Sequence, residues 1–232
     1  MKIELCVGSL EAARIASELS FDRIETCVAL EQGGLTPSDA MVKWIQETFH
    51  LEQHVLIRQR AGGFVYSYDE IIVMRDQILN MKQLGIKGVV IGALTKEEAI
   101  DLNALETWKR AAGNMDLTFH RAFDEVKDWE HVLEQLIKMG FKRILTSGQA
   151  PSVDMGMTRL KELVQAAAGR IEIMAGGGVH EGNVSDLKSL DVDGIHFSGT
   201  TFELDSEGSL FEARLQIPRM AKIKQILSHI SA

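Results

Sequence analysis

Each of the chain's two cysteines stands two residues after a glutamate, in Glu4-Leu5-Cys6 and again in Glu25-Thr26-Cys27. In an extended strand residues i and i+2 leave the same face, so each motif presents a carboxylate and a sulfur side by side. Ile3, Leu5 and Val7, then Ile24, are left for the opposite, apolar face. If the two strands are neighbours, about 4.8 Å apart, both sulfurs come within reach of one soft metal ion. Thiolates select Cu(I) or zinc over magnesium or calcium, and His120 is a candidate nitrogen ligand beside Cys6 and Cys27. Two other readings stand next to this one. Each Cys can be a small buried hydrophobe, or the two can form a redox pair. Neither a Cys-x-x-Cys spacing nor a His-Glu-x-x-His helix occurs.

A second set of residues suits anions and proton transfer. Thr118-Phe119-His120-Arg121-Ala122-Phe123-Asp124-Glu125 is the densest polar run in the chain. There His120 can act as a general acid or base near neutral pH, oriented by Asp124 or Glu125, while Arg121 clamps an anion. An internal salt-bridge network at a strand end is the plainer alternative. Arg58 and Arg60 precede the glycine-rich, aromatic stretch Ala61-Gly62-Gly63-Phe64-Val65-Tyr66-Ser67-Tyr68. That order fits an anion site under a mobile cover, or solvated arginines beside an ordinary connection. Gly176-Gly177-Gly178, Ser198-Gly199 and Ser147 can offer amides and hydroxyls to a phosphate, or the glycines can simply make tight turns.

These groups need elements to position them. Strand-like runs fall at residues 2–7, 22–27, 54–58, 88–92, 117–120, 143–147, 171–175 and 194–198. Amphipathic helical patterns fall between them, at residues 10–19, 38–49, 69–84, 103–112, 129–139, 157–168 and 183–190, with a last one at about 218–228. Eight strands alternating with eight helices predict an α/β protein built as one (β/α)8 TIM-type barrel, a single domain over residues 1–232. A doubly wound open sheet is the alternative. Against it, Gly8-Ser9-Leu10 follows the first strand where a Gly-x-Gly-x-x-Gly turn would stand.

Within a barrel the strand alternation sorts residues by face. Leu5, Ile24, Val55, Ile57, Phe119, Ile171, Ile173, Ile195 and Phe197 suit the side beneath the helices. Glu4, Cys6, Glu25, Cys27, His54, Arg58, Thr118, His120, Glu172, His196 and Ser198 then point inward. So many polar groups require a network or a ligand, because each left unpaired would cost several kcal/mol. Glu4, Glu25, Arg58, His120 and Glu172 are expected in one pocket, with Gly176, Gly177 and Ser198 at its rim.

Composition narrows the partners. A formal charge of −8 argues against nucleic acid and anionic membrane. The first apolar stretch contains Glu4 and reads as a strand rather than a signal peptide, and no apolar run reaches membrane-spanning length. Two cysteines are too few for a secreted disulfide framework, so the expected setting is a reducing cytoplasm.

Several segments together resemble the CutC family, described as copper homeostasis proteins. They are Glu4-Leu5-Cys6-Val7, Asp22-Arg23-Ile24-Glu25-Thr26-Cys27, Gly33-Gly34-Leu35-Thr36-Pro37-Ser38 and His54-Val55-Leu56-Ile57-Arg58. Phe64-Val65-Tyr66-Ser67, residues 118–125 and 143–148, and Gly176-Gly177-Gly178 complete the set. The resemblance implies a cytoplasmic (β/α)8 barrel, a homo-oligomer among its possible states, and Cu(I) bound through Cys6 and Cys27. The chain departs from the family pattern at Gly8 and Gly63, where Asp is expected, and at Gln59, where Pro is expected. The first functional expectation is a Cu(I)-binding homeostasis protein with Cys6, Cys27 and His120 as ligands. The second is a barrel enzyme acting on a small phosphorylated or sugar-like anion. In it His120 and Asp124 are catalytic, and Arg58, Arg60, Arg121, Ser147, Gly176, Gly177, Gly178, Ser198 and Gly199 bind the anion.

Overall fold

Short alternating strands and capped amphipathic helices close into a ring in the computed structural model, which describes residues 1–204 and 214–231. The strands are β1 (Lys2–Val7), β2 (Arg23–Thr26), β3 (Gln53–Leu56), β4 (Gly88–Ile91), β5 (Asp116–Phe119), β6 (Arg143–Thr146), β7 (Glu172–Gly176) and β8 (Gly194–Phe197). They pair in sequence order as a closed barrel, and the parallel pairing of β1 with β8 completes it. Between successive strands run α1 (Leu10–Glu18), α2 (Asp39–Phe49), α3 (Tyr68–Gln83), α4 (Leu102–Ala112), α5 (Trp129–Met139), α6 (Val153–Ala167) and α7 (Val184–Ser189). Side chains start several of these helices by accepting orphan backbone N–H groups: Ser9 for α1, Ser38 for α2, Asp101 for α4 and Asp128 for α5. Ser67 and Glu70 form a reciprocal capping box on α3.

The chain's last part differs from expectation. Strands β9 (Thr200–Leu204) and β10 (Arg214–Pro218) form an antiparallel hairpin that the sequence reading missed. Pro218, expected at a helix start, instead ends β10, where a residue without an N–H is tolerated. The final helix, α8, runs Met220–Ser231. Residues 205–213 and 232, part of the expected single domain, lie outside the described residues. Among the described residues no helix is long and apolar enough to cross a membrane.

All nine residues assigned to the outer strand face are buried in the layer shared with the helices, where Met74, Ile78 and Trp108 meet them. Burying one such Leu, Ile or Phe side chain contributes about 1.5–3 kcal/mol, so this layer drives barrel closure. The interior is different. Arg143 alone reaches Thr118 Oγ1, His54 Nδ1, Asp116 Oδ2 and Glu172 Oε2, each at 3.0 Å. Its guanidinium therefore ties β3, β5, β6 and β7 together at the barrel's N-terminal end. Leu56 and Val90 also face inward, against Cys6 and Cys27.

The turn after β6 rests on α6 without room for a methyl group. A Cβ at Gly156 would lie 1.8 Å from the Ser147 carbonyl oxygen. Helix propensity alone would reward Gly156→Ala by about 1 kcal/mol. We expect the opposite sign, a loss of about 2–3 kcal/mol in urea denaturation, because backbone must shift. A stabilised variant would show that the turn is not held against α6.

Candidate functional site

Parallel register sets Cys6 of β1 opposite Glu25 of β2, with Cys27 one step above. The sulfurs come to 3.6 Å from one another, and Cys6 donates to Glu25 Oε2 at 3.4 Å. Both thiols are free and buried, with Leu30, Leu56 and Val90 packed around them. They line a cavity of about 370 Å³ at the C-terminal mouth of the barrel.

Beneath the sulfurs lies a chain of paired charges. His196 of β8 places Nδ1 2.7 Å from Glu4 Oε1 and Nε2 3.5 Å from Glu25 Oε2. Arg23 holds the other oxygen of Glu4. Two carboxylates around one ring require a proton on each nitrogen, so His196 is an imidazolium. Burial opposes that charge, but Glu25, Cys6 and Glu4 outweigh burial and raise His196 well above its ordinary range. For Glu4, burial likewise works upward, yet His196 and then Arg23 hold it down at about 2. Burial raises Glu25, with Glu4 adding to the effect against His196. The Cys6 thiol is pushed well up by its bond to Cys27 and by burial. Donor atoms of Cys6, Glu25 and His196 all lie within 4.8 Å of one another, a group able to hold a metal ion.

The other expected site residues divide between the cavity and its scaffolding. His120 lines the cavity, packed on Phe64 with ring centroids 4.7 Å apart, and is not part of the Cys6–Glu25–His196 group. Its ring sits where a Cβ at Gly92 would approach to 2.5 Å, so the position just after β4 needs glycine. The partner of Nδ1 is the Ala122 N–H at 3.1 Å, rather than Asp124 or Glu125 as expected. Burial, together with the Arg58 charge, lowers His120 to about 3. At neutral pH it is therefore an uncharged hydrogen-bonding ring rather than a titrating acid or base.

Arg58 also lines the cavity, but its terminal nitrogens donate to the Gln32, Gly34 and Gly62 carbonyls at 2.6–2.9 Å. It holds two loops over the mouth. Arg60 lies away from the cavity, bound to Glu70 and to the Gly63 and Val65 carbonyls. Asp124 accepts from Thr146, Ser147, Gln149 and Arg121, which makes it the anchor of the turn after β6. The Ser147 hydroxyl has Asp124 and the Ala150 carbonyl as alternative acceptors for its one proton, and it accepts from Arg121. Arg121, Gly177, Gly178, Ser198 and Gly199 line the cavity, whereas Gly176 packs below it against Leu145 and His196. Glu4 sits beneath the cavity in the charge chain, and Glu172 lies at the opposite end of the barrel on Arg143. The expected single pocket thus holds Glu25, Arg58 and His120 but neither of those two. Sequence reasoning put Glu25 and His196 on the inner face without naming them as metal donors. Lys222 of α8 and Phe202 of β9, which it did not single out, also line the cavity.

The charge chain has a pH signature. The stability contributed by depressed Glu4 is complete above pH 4.5 and lost as pH falls toward 2. That contributed by raised His196 is complete below pH 6.5 and lost as pH climbs toward its folded value. The two overlap between pH 4.5 and 6.5. His54 and His120, lowered chiefly by burial to about 4 and about 3, oppose this by costing stability below pH 6.5. Comparison with His196→Gln isolates the pair. The substitution is expected to cost about 3–5 kcal/mol at pH 5.5 and clearly less at pH 9, by urea denaturation. An equal cost at both would mean that the ring is neutral.

Comparison with known proteins agrees with this construction. The model of the CutC family matches residues 1–201. A CutC family protein of Glaesserella parasuis is 43% identical over 241 residues, covering 100% of this chain and 99% of the relative. One from Pasteurella multocida is 44% identical, covering 88% of this chain and 84% of the relative. A crystal structure from Streptococcus agalactiae, described as that of a candidate copper homeostasis protein CutC, superposes with a TM-score of 0.82. It is 33% identical and covers 85% of this chain and 99% of its own. Phosphoribosylanthranilate isomerase of Thermotoga maritima, at 14% identity and TM-score 0.61, shares the fold alone. With a matching family model over most of its length and relatives above 40% identity, the chain belongs to the CutC family.

Proposed function

We propose that the protein handles copper by binding Cu(I) between Cys6 and Cys27, as a carrier or buffer in a reducing cytoplasm. The observation that carries this reading is the 3.6 Å sulfur pair on the cavity wall. Two zinc–sulfur bonds of about 2.3 Å at a tetrahedral angle set their sulfurs about 3.8 Å apart, and thiolates select Cu(I) as well as zinc. The thiols therefore need little movement to share one ion.

Charge supports the same reading. Two thiolates around Cu(I) carry one net negative charge, and the His196 imidazolium lies beside them to offset it. Glu25 then flanks the sulfurs as an oxygen donor, while His196, protonated on both nitrogens, contributes charge rather than a lone pair. His120 contributes wall rather than ligand, because its Nδ1 already accepts from Ala122. The net charge of −8 supports a cation as cargo over nucleic acid or a membrane surface.

Both cysteines are free, and thiolate ligation of a metal ion releases protons. Affinity should fall by up to about a hundredfold per pH unit on acidification, since two protons compete for each ion. Anaerobic competition with a Cu(I) chelator should show Cys6→Ser/Cys27→Ser weakened by more than about a hundredfold. Unchanged affinity would remove the cysteines from the site. Zn(II) displacing Cu(I) at equal concentration would reassign the site to zinc.

A further inference from the structure

We propose that the same cavity seats a small organic oxyanion, a carboxylate or phosphate ester carried on a compact apolar body. Three independent features of the wall point to such a ligand. The first is His120, 5% exposed, whose Nε2 has no hydrogen-bond partner. Because Nδ1 accepts the Ala122 N–H, the ring proton sits on Nε2. That nitrogen is thus an obligate donor without an acceptor, on a residue that lines the cavity. Buried donors of this kind are rare in native proteins and call for a partner.

The second feature is uncompensated positive charge. Arg58, 6% exposed, donates only to backbone carbonyls and has no carboxylate partner among the described residues. Lys222, half-buried on α8, makes no ion pair among the described residues and lines the same space. Arg121 adds a third cation, paired with Asp124. Against these, Glu25 is the one carboxylate among the described lining residues, and His196 already faces it. Arg58 is the buried cation of the three, and a buried charge without a counter-ion is costly until an anion offsets it.

The third feature is shape. Gly177 and Gly178 both have left-handed backbone, with φ of 100° and 87°. A Cβ at Gly177 would come within 2.9 Å of the Arg121 guanidinium, so only glycine leaves the space beside that cation open. Leu30, Leu56, Phe64, Val179 and Phe197 make the remaining wall apolar. A volume of about 370 Å³ matches a small metabolite rather than a lone ion. An anionic head would lie among Arg58, Arg121, Lys222 and His120, and an apolar body would face the hydrocarbon wall.

This proposal does not rest on copper, since none of those four residues belongs to the Cys6–Glu25–His196 group. The test uses the metal-free full chain in thermal shift and calorimetry. The probes are phenyl phosphate, glycerol 3-phosphate, benzoate and pyruvate, with benzamide and glycerol as neutral controls. At least one anion should raise Tm by roughly 5–10 °C at a hundredfold excess over Kd, and added salt should reduce the effect. The phosphate and carboxylate arms identify which head group the cavity prefers. Lys222→Glu and His120→Phe should each weaken binding tenfold or more, while Lys43→Ala on the exposed side of α2 leaves it unchanged. Should His120→Phe not fold, the partly exposed Lys222→Glu decides alone. No anion exceeding its neutral control, or wild-type affinity in the folded variants, would overturn the proposal.

Discussion

The buried carboxylate of Glu4 is the constraint on which this structure turns. It lies on the first strand, yet it is gripped by Arg23 from β2 and by His196 from β8. The grip therefore spans the seam where the barrel closes. An unpaired carboxylate there would face a desolvation penalty of several kcal/mol, so the strands cannot part without exposing an uncompensated charge. Most barrels fill this space with branched hydrocarbon. Here the larger apolar layer is the outer one, the inner cluster of Leu56 and Val90 against the cysteines is small, and the rest of the interior is held by charges that must find one another.

That pairing sets the chemistry above it. Glu25 and Glu4 together favour the cationic form of His196, which lies between them. Glu25 is also the acceptor for the Cys6 thiol, whose neighbour Cys27 further disfavours ionisation. The Cys6 thiol thus rests protonated over a positive ring. A soft cation that displaces thiol protons converts the neutral pair into an anionic one, and the imidazolium is already in place to offset it. The same surplus of positive charge makes the upper cavity attractive to an anion. Both readings follow from one electrostatic arrangement rather than from competing sites.

Scaffolding groups account for much of the remaining polarity at the mouth. Asp124 and Arg58 spend their bonding capacity on loops: one gathers the turn after β6, the other ties the loops after β2 and β3. The carboxylate or guanidinium most prominent in sequence is therefore not the group with capacity to spare. That capacity belongs to His120 Nε2 and to Lys222, neither of which makes a polar contact among the described residues.

Sequence alone determined the barrel, the order of its eight barrel strands and their helices, the inner and outer faces of six of those strands, and the paired Glu-x-Cys motif. These depend on local periodicity and on residue type, which a linear pattern records. It missed the β9–β10 hairpin, because a short strand pair after the last barrel strand carries no helix-like or crossover signal. The tertiary structure decided which inward groups meet. His196 joins Glu4 only because β8 pairs with β1, a contact spanning almost 200 positions. Closure likewise separates Glu172 from Glu25 along the barrel axis, although both alternate inward on their strands. Side-chain partners hide in the same way: His120 has Asp124 four residues away but bonds to Ala122, because the short helical turn at Arg121–Glu125 presents that amide first. Periodicity fixes the face a residue occupies. Its neighbour and its charge state depend on strand register around a closed ring and on burial, and both arise only when distant segments pack.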